Sequence, residues 1–286
     1  MERRSRKKVI VEGIIHEQGS RDHMEDRHAI IDSEHWLCFA VFDGHGGEEV
    51  SHRIASPTEG LLPFQLARLQ HAWPKGILQP KIRGGGFRKL SKVRRDSVKN
   101  LLQKSFKEYD EEILLTEFGS EAEVGSTCSL VVFTNPPEAL WICNLGDSRT
   151  TLFDIKPVPS LRFMTIDHKP EMKEEKKRIE NAGGKVTRTR DDVFRINHLT
   201  AVSRGFGDFH LKPNLISIVP DIQFFDSLPE CYLILATDGV WDEIEISHLT
   251  EWLHSYPHSF CRKAVDWILT AQPEADNLTF LALHLV

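Results

Sequence analysis

Apolar residues in this chain gather in short runs. Val9 to Ile15, Trp36 to Phe42, Ser129 to Phe133, Leu140 to Asn144, Thr150 to Phe153, Tyr232 to Ala236 and Leu278 to Leu285 are rich in apolar and β-branched residues. Turn-forming residues separate them, which is the pattern of antiparallel strands. Several runs are almost continuously apolar, as expected of strands covered on both faces. Longer segments predict helices over Glu48 to Ala55, Ser97 to Leu115, Pro170 to Asn181, Ser247 to Ser255 and Phe260 to Ala271. Pro170 reads as a first helical position ahead of Glu171, Glu174 and Glu175, and Gly183-Gly184 stops that helix. Strand runs broken by paired helices imply sheet on sheet with helices outside. No fixed-period repeat or low-complexity tract interrupts the pattern.

The 286 residues are 40% hydrophobic and 27% charged, enough to bury a sizeable core. Without a Pro/Gly/Ser linker, the expectation is one domain over residues 1–286 with a basic insertion at about 74–95. The longest apolar run, Trp36 to Phe42, has seven residues, against the roughly 20 needed to span a bilayer. No membrane span is expected. Met1 to Lys8 is basic but lacks the apolar core of a signal peptide, so secretion is not expected. Five cysteines form no CxxC pair and several lie inside apolar runs, which points to a reducing compartment and a cytoplasmic protein.

Charge is unevenly spread. Residues 75–104 hold ten Lys and Arg against one acid, so the rest of the chain carries −15 within a formal net charge of −6. Such acidity disfavours a nucleic-acid binder, whose phosphate contacts need a broad basic face. Within the basic stretch, Lys81 to Lys89 alternates cations with three glycines and reads as a loop. A solvated insertion, docking of an acidic partner, nuclear import and an anionic membrane surface all suit it.

Chemistry concentrates at the strand ends. Asp43-Gly44-His45-Gly46-Gly47 follows the strand Trp36 to Phe42, and a carboxylate beside flexible backbone can bridge cations because glycine lets a main-chain carbonyl approach. Asp238 follows the strand Tyr232 to Ala236, and Asp276-Asn277 opens the last strand. Glu25-Asp26 follows Arg21 in a charged loop. Acids at the ends of several apolar strands look like converging ligands.

In order, Arg21 to Asp26, Asp43 to Gly47, Gly125-Ser126-Thr127, Asn144 to Arg149, Asp167-His168-Lys169-Pro170, Ala201 to Asp208, Thr237 to Asp242 and Asp276-Asn277 resemble the metal-dependent protein phosphatase family, the type 2C serine/threonine phosphatases. The resemblance covers nearly the whole chain. It implies a four-layer α/β/β/α sandwich of two antiparallel sheets flanked by helices. The implied activity is hydrolysis of phosphoserine and phosphothreonine in phosphoproteins by attack of a water bridging two Mg²⁺ or Mn²⁺ ions, by a monomeric enzyme. Carried onto this sequence, Asp43 bridges the ions, Asp238 and Asp276 complete the first, and the Gly44 carbonyl and Glu25, through water, serve the second. Asp26 orients metal-bound water, Arg21 holds the phosphate and His45 protonates the departing alkoxide. Asp147 and Asp242 resemble ligands of a third, weaker site shared with Asp238. Asp208 supports the fold or the flap.

One departure from the family pattern stands out. Arg195-Ile196-Asn197 is followed by His198 where the family has glycine. If that position takes a positive φ, His198 carries a steric cost or the loop is rearranged. Two rival readings are a catalytically silent relative that binds phosphoproteins, which loss of the metal acids would mark, and a metal-dependent phosphodiesterase or nuclease, which the acidic bulk opposes.

Overall fold

The computed structural model describes residues 8–72, 91–115, 123–134, 139–188, 193–226 and 228–286. Its strands are β1 (Val9–Glu17), β2 (Arg27–Asp32), β3 (Trp36–Phe42), β4 (Gly44–His45), β5 (Gly125–Ser126), β6 (Cys128–Thr134), β7 (Ala139–Leu145), β8 (Arg149–Asp154), β9 (Ser160–Met164), β10 (Val186–Thr187), β11 (Arg195–Ile196), β12 (Phe206–Gly207), β13 (Asp221–Asp226), β14 (Cys231–Ala236) and β15 (Leu278–Leu285). The helices are α1 (Glu49–Ala55), α2 (Leu61–Ala72), α3 (Lys92–Ile113), α4 (Lys173–Asn181), α5 (Asp238–Trp241), α6 (Ile246–Ser255) and α7 (Phe260–Ala271).

Two five-stranded antiparallel sheets, ordered β1-β15-β14-β8-β9 and β13-β7-β6-β3-β2, face each other. Side chains alternate across a strand, so each central strand feeds two cores. Phe39 and Val41 of β3, with Val131, Phe133, Leu140 and Ile142, meet Leu233, Leu235, Leu281 and Leu283 between the sheets. The alternate residues of β3, Trp36, Cys38, Ala40 and Phe42, pack outward against Val50, Ile54, Leu62, Leu102, Phe106 and Tyr109 of α1 to α3. On the far side, Ile234, Ala236, Phe280 and Ala282 pack against Leu249, Leu253, Phe260, Val265 and Ile268 of α6 and α7. This double coverage explains the continuously apolar runs and produces the expected α/β/β/α layers. Among the described residues, no helix is long and apolar enough to cross a membrane.

A smaller lobe of α4, the β10-β11 hairpin and the chain up to β13 has its own core of Ile179, Ile196, Leu211 and Ile216. Glu175 ties it down, accepting from Arg204 Nη2 at 2.6 Å, Arg178 Nη2 at 2.9 Å and Ser203 Oγ at 2.8 Å. Arg204 also reaches Asp221 of β13 at 3.0 Å. The departure at His198 sits here. Asn197 and His198 both adopt left-handed φ, 51° and 67°, a conformation costing a non-glycine residue roughly 1–2 kcal/mol. Thr187 Oγ1 lies 3.2 Å from His198 Nδ1, and the turn closes through Leu199 N to Ile196 O at 2.9 Å.

Three expectations need correction. Pro170 precedes α4, which starts at Lys173; Pro170 occupies a turn closed by Met172 N to Lys169 O at 3.1 Å, a position its fixed φ suits equally well. Helix α3 begins five residues ahead of Ser97, with Ser91 Oγ accepting from Arg94 N, so residues 91–95 of the predicted insertion belong to a helix and its cap. The rest of that stretch, 74–90, lies outside the described residues. The strands β2, β9 and β13 and the helix α2 have no counterpart among the predicted elements.

Candidate metal centre

Strands β3 and β7 of one sheet and β14 of the other run out at the same end of the sandwich, and the next residues bring three carboxylates together. Asp43, Asp147 and Asp238 each place a carboxylate oxygen within 4.8 Å of the other two. Asp43 is held by Thr127, whose Oγ1 accepts from Asp43 N at 3.1 Å and whose N donates to Asp43 O at 2.9 Å. These acids line a cleft of about 970 Å³ together with Arg21, Glu25, Gly44, His45, Asp242 and Asp276. Of the residues expected at the site, only Asp26 lies off its wall, 1% exposed and accepting a 2.7 Å hydrogen bond from Thr237 Oγ1.

Crowding and burial set the electrostatics of the cluster. Burial, then the charges of Asp238, Asp26 and Asp147, holds the Asp43 carboxyl well above its ordinary range. Burial and Asp238 push Asp147 up to about 7, with Lys169 opposing. Burial pushes Asp26 up to about 7 against the hydroxyls of Thr237 and Thr279. Asp238 is raised as well, by burial first. Carboxylates this close repel unless protonated or given a counter-charge. Their oxygens are hard donors, which suit Mg²⁺ and Mn²⁺, so the residues fit the implied ions. Among the described residues, no other set of three His, Cys, Asp or Glu side chains approaches this closely.

The backbone around the trio is tightly specified. A Cβ on Gly44 would lie 2.5 Å from Glu25 O and 2.7 Å from Ser51 Oγ, so only glycine lets the β3 end reach the Glu25 loop. Asn277 pins that loop, donating to Gln18 O at 2.9 Å and His23 O at 3.0 Å and accepting from Glu25 N at 2.7 Å. Asp276 is engaged by Arg21, Nη2 to Oδ2 at 2.5 Å, and stands apart from the close trio. Asp242, 51% exposed at its side chain, lies 3.7 Å from Lys169 Nζ, which is also 3.8 Å from Asp147.

His45 Nε2 lies 3.0 Å from Asp208 Oδ2. Burial alone lowers the imidazole pKa, but Asp208, Asp147 and Glu25 outweigh it and hold the ring above its ordinary value. Asp208 therefore supports His45 directly as well as the fold around it. The five cysteines are buried and free, and burial drives the Cys38 and Cys261 thiols up to about 12, so they behave as small hydrophobes. Sequence reading missed Thr127, Thr237, Asn277 and Lys169 as parts of the site. Each lies inside a motif, but their roles come from partners distant in sequence.

Comparison with known proteins agrees with this geometry. The profile described as "Protein phosphatase 2C" matches residues 12–271. Protein phosphatase 1L of Bos taurus is 32% identical over 234 residues, which are 79% of this chain and 58% of the relative, so the chain spans under three fifths of its length. The solved serine-threonine phosphatase 2C from Toxoplasma gondii superposes with a TM-score of 0.73 at 22% identity, covering 98% of this chain and 94% of that one. The catalytic domain of PstP, in complex with two manganese ions, superposes with a TM-score of 0.55 at 16% identity, covering 98% of each chain. With strand ends, carboxylates and glycine corner in the places its motifs require, this chain belongs to the protein phosphatase 2C family.

Proposed function

We propose that this protein is a metal-dependent serine/threonine phosphatase that hydrolyses phosphoserine and phosphothreonine in proteins. The observation that carries the reading is one cleft shared by Asp43, Asp147 and Asp238, by Arg21 and by His45. Asp43, Asp238 and Asp276, with Glu25 and the Gly44 carbonyl, would hold two Mg²⁺ or Mn²⁺ ions, and Asp147 and Asp242 a weaker third. The two manganese ions of PstP support that count. Bound divalent ions supply an activated water and offset the charge that develops on phosphorus-bound oxygens.

The remaining roles fall to side chains of the chain itself. Arg21, 60% exposed at its side chain, offers a planar fork of donors that matches phosphate better than a lysine does. His45 gives a proton to the departing Ser or Thr oxygen. Asp26 would orient metal-bound water, and it accepts a hydrogen bond from Thr237, the residue before Asp238. Every acid the reading needs is present, so no observation favours a silent scaffold.

The test is hydrolysis of p-nitrophenyl phosphate and of a phosphothreonine peptide with Mg²⁺, Mn²⁺ or EDTA, beside calorimetric metal titration to count sites. Turnover of both substrates that EDTA abolishes and either metal restores is expected. EDTA-resistant turnover, or none on either substrate, overturns the proposal.

A further inference from the structure

The short sheet β4-β5-β12 lends Phe206 to the outer core, and it also sets one side-chain pair. Its register places His45 opposite Gly125, and Gly125 opposite Gly207, the residue before Asp208. The middle position must be glycine. A Cβ on Gly125 would lie 2.4 Å from His45 Nε2 and 2.5 Å from Asp208 Oδ2, inside the hydrogen bond that joins them. Asp208 is 1% exposed and takes a left-handed φ of 50°, fixed by its N–H donating to Val124 O at 2.9 Å. Behind it, Gly207 N donates to Asp110 Oδ1 at 3.0 Å, and Lys212 Nζ closes on Asp110 Oδ2 at 2.6 Å. A buried carboxylate without a partner is costly, and the backbone here is bent and anchored so that His45 is that partner.

We propose that Asp208 is a positioning residue for His45: it accepts the Nε2–H, holds the ring in one orientation, and leaves Nδ1 as the nitrogen that serves the leaving group. The inference rests on the phosphatase reading and names the geometry behind its acid step. As water forms the new P–O bond, the old one breaks with its electron pair on the Ser or Thr oxygen. That oxygen takes the proton from Nδ1, Nε2–H stays on Asp208, and the proton released by water returns the ring to its starting state. A carboxylate that fixes one imidazole nitrogen so that the other can move a proton is a general device.

The experiment compares kcat for a phosphothreonine peptide, whose alkoxide needs a proton, with kcat for p-nitrophenyl phosphate, whose phenolate does not. General acid help is worth roughly 10²–10⁴-fold, so Asp208→Ala is expected to lower the peptide-to-phenyl ratio by about tenfold or more. Asp208→Asn keeps an acceptor and tolerates the left-handed backbone, so it should fold and recover part of that ratio. In a His45→Gln background, Asp208→Ala should leave the ratio where His45→Gln put it, as two residues acting as one unit must. Equal losses on both substrates, Asn no better than Ala, or an undiminished ratio change without His45 overturns the proposal. A parent enzyme inactive on both substrates marks instead the failure of the phosphatase reading.

Discussion

Three carboxylates within reach of one ion make Asp43 the most informative single position. Asp43→Asn keeps the shape but removes a charge, so turnover and the metal-induced rise in Tm should both disappear. In EDTA the same variant should melt above the parent, because one member of the repelling cluster is gone. Differential scanning fluorimetry with and without Mn²⁺ checks both signs, and a variant that still gains Tm with Mn²⁺ contradicts them. His45→Gln tests the acid role, with a phosphothreonine peptide losing roughly 10²-fold or more and p-nitrophenyl phosphate far less. At Gly44, a single methyl would overlap Glu25 O, and Gly44→Ala should cost about 1–3 kcal/mol as overpacking does while weakening Mn²⁺ binding measured by calorimetry.

Among the elements, α3 bears on the site from a distance, since its Asp110 joins Lys212 and the β12 backbone. Both side chains are nearly buried, 8% and 10% exposed, and burial pushes the Asp110 carboxyl up and the Lys212 amine down. Removing one partner of such a pair costs about 3–5 kcal/mol. Lys212→Ala should therefore lower urea-unfolding stability by about that much, and adding Asp110→Leu should restore part of it. A double variant no more stable than Lys212→Ala would show that the pair is not what holds this end of α3. The central strands β3, β6, β7, β14 and β15 were legible because residues buried on both faces form unbroken apolar runs. Among the edge strands β1 was legible as a β-branched run, whereas β2, β9 and β13 were not. In β2 and β13 half of the six residues are polar or charged and the alternation is not strict, so neither stretch stands out from loop composition. For Pro170, turn and helix start use the same φ, and only the chain path chose between them.

For the molecule as a whole, the raised carboxyls predict how stability depends on pH and metal. In the unfolded chain these aspartates titrate near 3.8, whereas Asp26 and Asp147 titrate at about 7 in the fold, and Asp43 and Asp238 are raised too. A carboxyl raised by folding stabilises the fold in full below its unfolded pKa and loses that contribution as pH rises through its folded pKa. His16, lowered to about 4 by burial and His28, and His28, lowered by burial, have the opposite slope, but Asp110 adds a fifth raised carboxyl to the four. Glu175 and Asp221, held at about 2 by their arginine and histidine partners, lose their contribution only as pH falls toward 2. The EDTA-treated protein should thus lose Tm between about pH 4 and pH 7, and Mn²⁺ should recover most at the upper end. A flat profile in EDTA, or one indifferent to Mn²⁺, would count against the cluster as described.

The family, the layer architecture and the set of acids are all legible in the order of residues along the chain. Those follow from local patterns: apolar runs that must be buried, and carboxylates and glycines at their ends. Which of those groups meet is settled only by packing. Asp43, Asp147 and Asp238 come together while Asp276 turns to Arg21; Asp26 drops behind the wall onto Thr237; Asp208 finds His45 across 163 residues. Pairing at that separation depends on strand register and on where a Cβ has no room, and neither quantity exists until the sheets have packed.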